Sequence, residues 1–138
     1  MKMIRYAAFA LILAALPLPA ADAPPGGKPP AVATVRNVGV EEFDTLRAEK
    51  NAVVLDVRTE KEFKAGHIPG AINLDFNSGE FAKKFSQLDK GKTYLVHCAS
   101  GGRSAKASSL MTKGAFANVV NLDPGFRGWE KAGKAVKK

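Results

Sequence analysis

Cysteine is nearly absent: Cys98 is the only one in 138 residues. One thiol excludes an intrachain disulfide framework and a multi-cysteine metal knot. The two histidines do little to rebuild a metal site. His97 adjoins Cys98, and alternation along a strand sends neighbours to opposite faces. No metal or other cofactor is therefore expected. No apolar run reaches membrane-spanning length, so no stable membrane anchor is expected either. Aromatic residues make up 8% of the chain and do not interleave with clustered arginines, which argues against a nucleic-acid surface. Charge blocks and internal repeats are also missing. What remains is 46% hydrophobic and 25% charged, the composition of one globular domain.

The N-terminus reads as an export signal. Lys2 and Arg5 precede Tyr6–Leu16, an unbroken apolar stretch of eleven residues. As a helix that stretch spans about 16 Å, half a hydrocarbon core, followed by small residues suited to cleavage near Ala20–Ala23. Residues 1–23 are thus read as a signal peptide and the location as periplasmic or secreted. Residues 24–31 form a linker, because "PPGGKPP" holds four of the eight prolines and suits neither a helix nor a central strand. Residues 32–138 form the folded domain, ending in a basic tail. The formal net charge of +8 becomes +7 once Lys2, Arg5 and Asp22 are removed. A basic surface of this kind suits a small anionic substrate or simply serves solubility.

Within the domain, strand-like and helix-like segments alternate. "NAVVLDV" (Asn51–Val57), "GAINLDF" (Gly70–Phe76), "KTYLVHC" (Lys92–Cys98) and "ANVVNL" (Ala117–Leu122) read as strands, with a further candidate at Ala33–Val38. Thr59–His67 reads as a short helix capped by Thr59 and ended by Gly66. Glu80–Leu88 places Phe81, Phe85 and Leu88 on one helical face. Ser104–Lys113 does the same for Ala107, Leu110 and Met111, with Gly114 as its stop. Val40, Phe43 and Leu46 mark a helix near the start, and "FRGWEKAGK" a last one. This order predicts an α/β fold whose central, mostly parallel sheet has four to five strands and helices on both faces.

The chemistry concentrates in "YLVHCASGGRSAKASSL". A buried strand ends at Cys98, a glycine-rich turn follows, and a helix opens near Ser104. The carboxyl end of a parallel strand is where open α/β sheets place their sites. Gly101 and Gly102 let the turn curl so that its amides face inward, and the helix directs its positive end to the same place. Such a cradle lowers the pKa of the Cys98 thiol and makes it a nucleophile. Arg103 adds a fixed cation able to bind an oxyanion by paired hydrogen bonds.

These residues resemble the rhodanese family of sulfurtransferases. Three stretches carry the resemblance: "LDVRTEKEFKAGHIPGAINL" (Leu55–Leu74), "HCASGGRS" around the loop from Cys98 to Arg103, and "VVNLDPGFRGWEKAG" near the end. The resemblance implies a rhodanese-like fold and a cycle in which Cys98 takes a sulfane sulfur from a thiosulfate-like donor. A thiophilic acceptor, cyanide in an assay or a thiol in the cell, then removes it. It further implies that the backbone of Ala99, Ser100, Gly101, Gly102, Arg103 and Ser104 stabilises the charged sulfur, and that Arg103 helps bind the donor. Asp56 and Arg58 match a strand-end charge pair that supports the loop, and His67 matches a turn-shaping position. His97 is expected to be buried and hydrogen-bonded. Phe126 and Trp129 are expected to fill core. Pro124–Gly125 stands where the family often has two glycines, leaving the path of that loop open. A monomer is expected, and the lack of a second cysteine requires that the sulfur pass to another molecule.

Two other readings compete. A cysteine phosphatase or arsenate reductase of similar fold uses a Cys-x5-Arg loop, one residue longer than the four-residue spacing between Cys98 and Arg103. A non-catalytic sulfur carrier or binding module would keep the loop but depend on a protein partner. "GKT" at Gly91–Thr93 lacks the earlier glycine of a phosphate-binding loop, with Ser86 in its place. "LDVRT" lacks the second carboxylate of a phospho-aspartate site, with Arg58 in its place.

Overall fold

The computed structural model describes residues 34–138; the expected signal peptide, the linker and the first two domain residues lie outside the described residues. Ten elements alternate along the chain. They are β1 (Arg36–Val38), α1 (Val40–Arg47), β2 (Ala52–Asp56), α2 (Glu60–Ala65), β3 (Ile72–Asn73), α3 (Phe81–Ser86), β4 (Thr93–His97), α4 (Gly102–Lys113), β5 (Asn118–Leu122) and α5 (Gly125–Lys131). The five strands form one sheet in the order β1-β5-β4-β2-β3, and every pairing is parallel. The expected fold class is the observed one, with five strands.

Alternation along the strands divides the core in two. Val53, Leu55, Tyr94, Val96 and Val119 pack with Phe81 of α3 and Ala107 and Met111 of α4. Val54, Leu95, Val120 and Leu122 face the other way, onto Phe43 of α1 and Phe126 and Trp129 of α5. Both faces of the sheet are therefore covered, which is why its central strands read as near-continuous apolar runs. Trp129 is fully buried and donates its indole N–H to the Ala135 carbonyl at 2.8 Å.

Two local expectations need correction. Leu110 is 41% exposed, so the buried stripe of α4 runs through Ser104, Ala107, Ser108 and Met111 instead. At 100° per residue Leu110 falls beside that stripe, over solvent. The strand expected over Gly70–Phe76 contracts to Ile72–Asn73, an edge strand whose Ile72 faces solvent.

The order of strands sets the position of the site. From β2 the chain moves outward to β3, whereas from β4 it moves in the opposite direction to β5. The connections leaving β2 and β4 thus diverge and open a crevice at their carboxyl ends, the usual ligand position in such sheets. Asp56 ends one strand and His97 the other, and they are register partners.

Candidate active site

Cys98 follows the last residue of β4 and belongs to the α4 side of the core, whereas His97 packs against Phe43 and Phe126 on the opposite side. The chain turns at Gly101, whose φ of +100° lies in the left-handed region, and α4 begins at Gly102, two residues earlier than the sequence suggested. A Cβ at position 101 would meet the Asp123 carbonyl oxygen at 2.5 Å, so only glycine fits the turn.

The turn brings donors to the sulfur. The Gly101 amide donates to Cys98 Sγ at 3.1 Å. The thiol is 1% exposed, and burial alone pushes its pKa up. The Ser104 hydroxyl and the amides of Ser104, Ser100 and Gly101 outweigh burial and hold the pKa below the ordinary thiol value. Ser104 is fully buried, and its hydroxyl also lies 3.1 Å from the Gly101 carbonyl. One hydroxyl proton serves either acceptor, and a thiolate is the stronger one.

The loop is held from outside by α5. Phe126 N–H donates to the Cys98 carbonyl at 2.7 Å, and Arg127 N–H to the Ala99 carbonyl at 3.1 Å. Gly125 settles the path left open by the sequence. With φ of +64° it lies directly against Ala99, and Pro124 serves as the N-cap of α5. Phe126 does two things: it fills core, and it stacks under Arg58, whose guanidinium carbon lies 4.0 Å from the ring centre.

Asp56 and Arg58 form a buried ion pair beneath the crevice. Arg58 Nη2 donates to Asp56 Oδ2 at 2.7 Å and to the Gly66 carbonyl at 2.7 Å, while Nε lies 3.0 Å from Oδ1. The Asn73 side-chain amide adds bonds to the Asp56 and Arg58 carbonyls, tying β2 to β3. Fully buried His97 points Nε2 toward Asp56, 3.7 Å from Oδ2, and that nitrogen has no hydrogen-bond partner among the described residues. Burial lowers the His97 pKa, with the Asp56 charge opposing. A neutral ring with Nδ1 bonded to the Cys98 carbonyl at 3.3 Å fits this position, not a base facing substrate. His67 is likewise turned away from the loop. Its ring stacks on Phe63 at 3.8 Å and bonds the Phe63 carbonyl, and its backbone pairs with Lys137.

Arg103 has a protein partner that the sequence did not suggest. Its Nη1 and Nη2 donate to both oxygens of Glu62 at 2.9 and 3.1 Å, so this edge of the guanidinium faces a carboxylate of the chain itself. The Arg103 pair, opposed by partial burial and helped by Thr59, lowers the Glu62 pKa to about 2. Glu62 is placed by the capping box of α2, in which Thr59 N–H donates to Glu62 Oε2 at 2.9 Å and Thr59 Oγ1 accepts from the Glu62 amide. The Thr-x-x-Glu spacing signals that cap, but its role as a latch on Arg103 depends on the fold.

A model of the rhodanese-like domain matches residues 39–132, from the N-cap of α1 to the C-cap of α5. The chain belongs to the rhodanese-like family. It is 36% identical over 94 residues to thiosulfate sulfurtransferase GlpE of Pseudomonas entomophila, covering 68% of this chain and 84% of that one. It is 31% identical over 97 residues to YrkF of Bacillus subtilis, whose provisional name describes a sulfur carrier protein. That match covers 70% of this chain but spans only about half, 51%, of the relative. Among solved structures, a rhodanese-related protein from Thermoplasma volcanium superposes with a TM-score of 0.66 at 29% identity, over 74% of this chain and 97% of that one. Sulfur-transfer proteins are thus among the relatives of this rhodanese-like chain, and sulfur donors and acceptors are the general class of partner those relatives imply.

Proposed function

We propose that the chain is a sulfurtransferase that works through a persulfide on Cys98, with a thiosulfate-like anion as donor and a thiol as acceptor. The observation carrying this reading is the set of donors around Sγ, which favours a charged sulfur there. In the first half-reaction the Cys98 thiolate attacks the outer sulfur of thiosulfate. A Cys–S bond to that sulfur forms, the donor's sulfur–sulfur bond breaks, and sulfite leaves with the electron pair. In the second, an acceptor thiolate or cyanide attacks the outer sulfur of the persulfide, and Cys98 leaves as thiolate. The loop amides stay in place throughout, so the charge meets preorganised donors at both stages. Asp56 and Arg58 act as struts for the loop, and the cycle needs no cofactor.

The test is the intact mass of the reduced protein after thiosulfate and then after cyanide, beside Cys98→Ala. A gain of one sulfur that cyanide removes as thiocyanate, absent in the variant, is the expected result. No sulfur gain, with turnover of phosphate esters or arsenate, would replace this reading with a phosphatase-like or reductase-like one. We also propose that the protein acts outside the cytoplasm, a reading carried by the Lys2–Leu16 pattern and checked by N-terminal sequencing of the periplasmic fraction.

A further inference from the structure

Beside the Cys98 loop lies a cleft of about 270 Å³ lined by Arg58, Glu62, Ala99, Phe126, Arg127 and Glu130, among others. Arg58 and Arg127 line this cleft, Arg103 stands at the start of α4 just after the loop, and the three are not equivalent. Arg58 is 4% exposed and directs Nε and Nη2 to Asp56 and Gly66, away from a free anion. Arg103 has both terminal nitrogens on Glu62. Arg127 is exposed and, among the described residues, its side chain makes no ion pair or hydrogen bond. Its main chain is nonetheless fixed to the loop, because its amide donates to the carbonyl of Ala99, the residue after the nucleophile.

We infer that Arg127 docks the anionic end of the sulfur donor, an inference that rests on the sulfur-transfer reading above. A guanidinium presents planar paired donors that match two oxygens of a sulfonate-like group. Anchoring at Ala99 places the start of this side chain one residue from Cys98, while the cleft gives the donor room to lie beside the loop. Glu130 follows three residues later on α5 and lines the same cleft, yet it forms no ion pair with Arg127. Its carboxylate opposes an incoming anion. The two side chains therefore push donor affinity in opposite directions: Arg127 attracts the anion and Glu130 repels it.

The test is steady-state kinetics of the full chain with thiosulfate as donor and dithiothreitol, which carries no charge beyond its reacting thiolate, as acceptor. Arg127→Ala is expected to lower kcat/KM for thiosulfate about tenfold, through KM, and Arg127→Glu further, as the loss of a charge-assisted contact requires. Arg127→Lys recovers part of the loss, and Glu130→Gln raises kcat/KM. The value for the acceptor and the melting temperature stay at wild-type levels, an outcome that a merely structural role would not give. If the wild type loads sulfur but Arg127→Ala keeps kcat/KM for thiosulfate within twofold, the inference is wrong while the function stands. If the wild type loads no sulfur from thiosulfate, both fall together.

Discussion

Gly125 and Ala99 approach more closely than any side chain at 125 would allow: a Cβ there would sit 2.5 Å from the Ala99 carbonyl oxygen and 2.8 Å from the Ser100 amide nitrogen. The contact lets α5 donate its first amides to the nucleophile loop. Gly125→Ala adds both a backbone clash and a strained positive φ. It is expected to destabilise the fold by about 2–4 kcal/mol and to slow Cys98 alkylation, because the loop must move to relieve the clash. Chemical denaturation and thiol-labelling rates check this; a variant with wild-type stability would show that the loop yields freely.

Ser104 supplies the strongest contribution that lowers the Cys98 pKa, through its side chain. Ser104→Ala removes the hydroxyl and leaves the amides, so the thiol pKa is expected to rise. The sign follows from charge: fewer donors on the thiolate favour the protonated form, and the alkylation profile shifts to higher pH. Labelling near neutral pH should fall several-fold. An unchanged profile would assign the effect to the amides alone.

How far the sequence foretold this site depends on how local each feature is. Cys98, Gly101 and Ser104 fall within one run of seven residues, so a strand end followed by a glycine turn and a helix start announced the cradle. The β-branched runs of β2, β4 and β5 were equally plain, since buried parallel strands tolerate little else. The Glu62–Arg103 latch joins residues 41 positions apart and exists only once the fold brings α2 to the start of α4. The contact of α5 with the loop is hidden for the same reason. Arg127 and Glu130 look like ordinary surface charges until the first turn of α5 is seen bonded to Ala99.

The Arg103 pair makes Glu62 a marker of acid behaviour. Its folded pKa, about 2, lies below the ordinary carboxylate value of 4.5. A depressed acid contributes stability in full above its unfolded pKa and loses it as pH falls through the folded value. The latch is thus expected to hold across the whole neutral range and to open only between about pH 4 and pH 2. Glu62→Gln preserves the cap geometry and removes the titration. Its stability curve should be flatter than that of the wild type in that interval, as urea denaturation at a series of pH values will show. Identical acid limbs would show that the pair does not contribute.

Beneath the loop, the ion pair and the C-terminal tail act as one support. Arg58 holds Asp56 and the Gly66 carbonyl together. Gly66 in turn lies against Val136, and His67 exchanges both backbone hydrogen bonds with Lys137. Removing one charge strands the other in a site with almost no access to water. Arg58→Met is therefore expected to cost about 3–5 kcal/mol, the usual penalty for an orphaned buried charge. Asp56→Asn with Arg58→Met leaves no orphaned charge and should cost less than the sum of the single variants. Truncation after Gly133 keeps the pair but removes the Trp129 acceptor at Ala135 and the Lys137 partner of His67. The expected signature is faster hydrogen exchange at the His67 amide together with a lower melting temperature. If exchange there is unchanged, the tail lies on the domain without holding Gly66, and the ion pair alone carries the support.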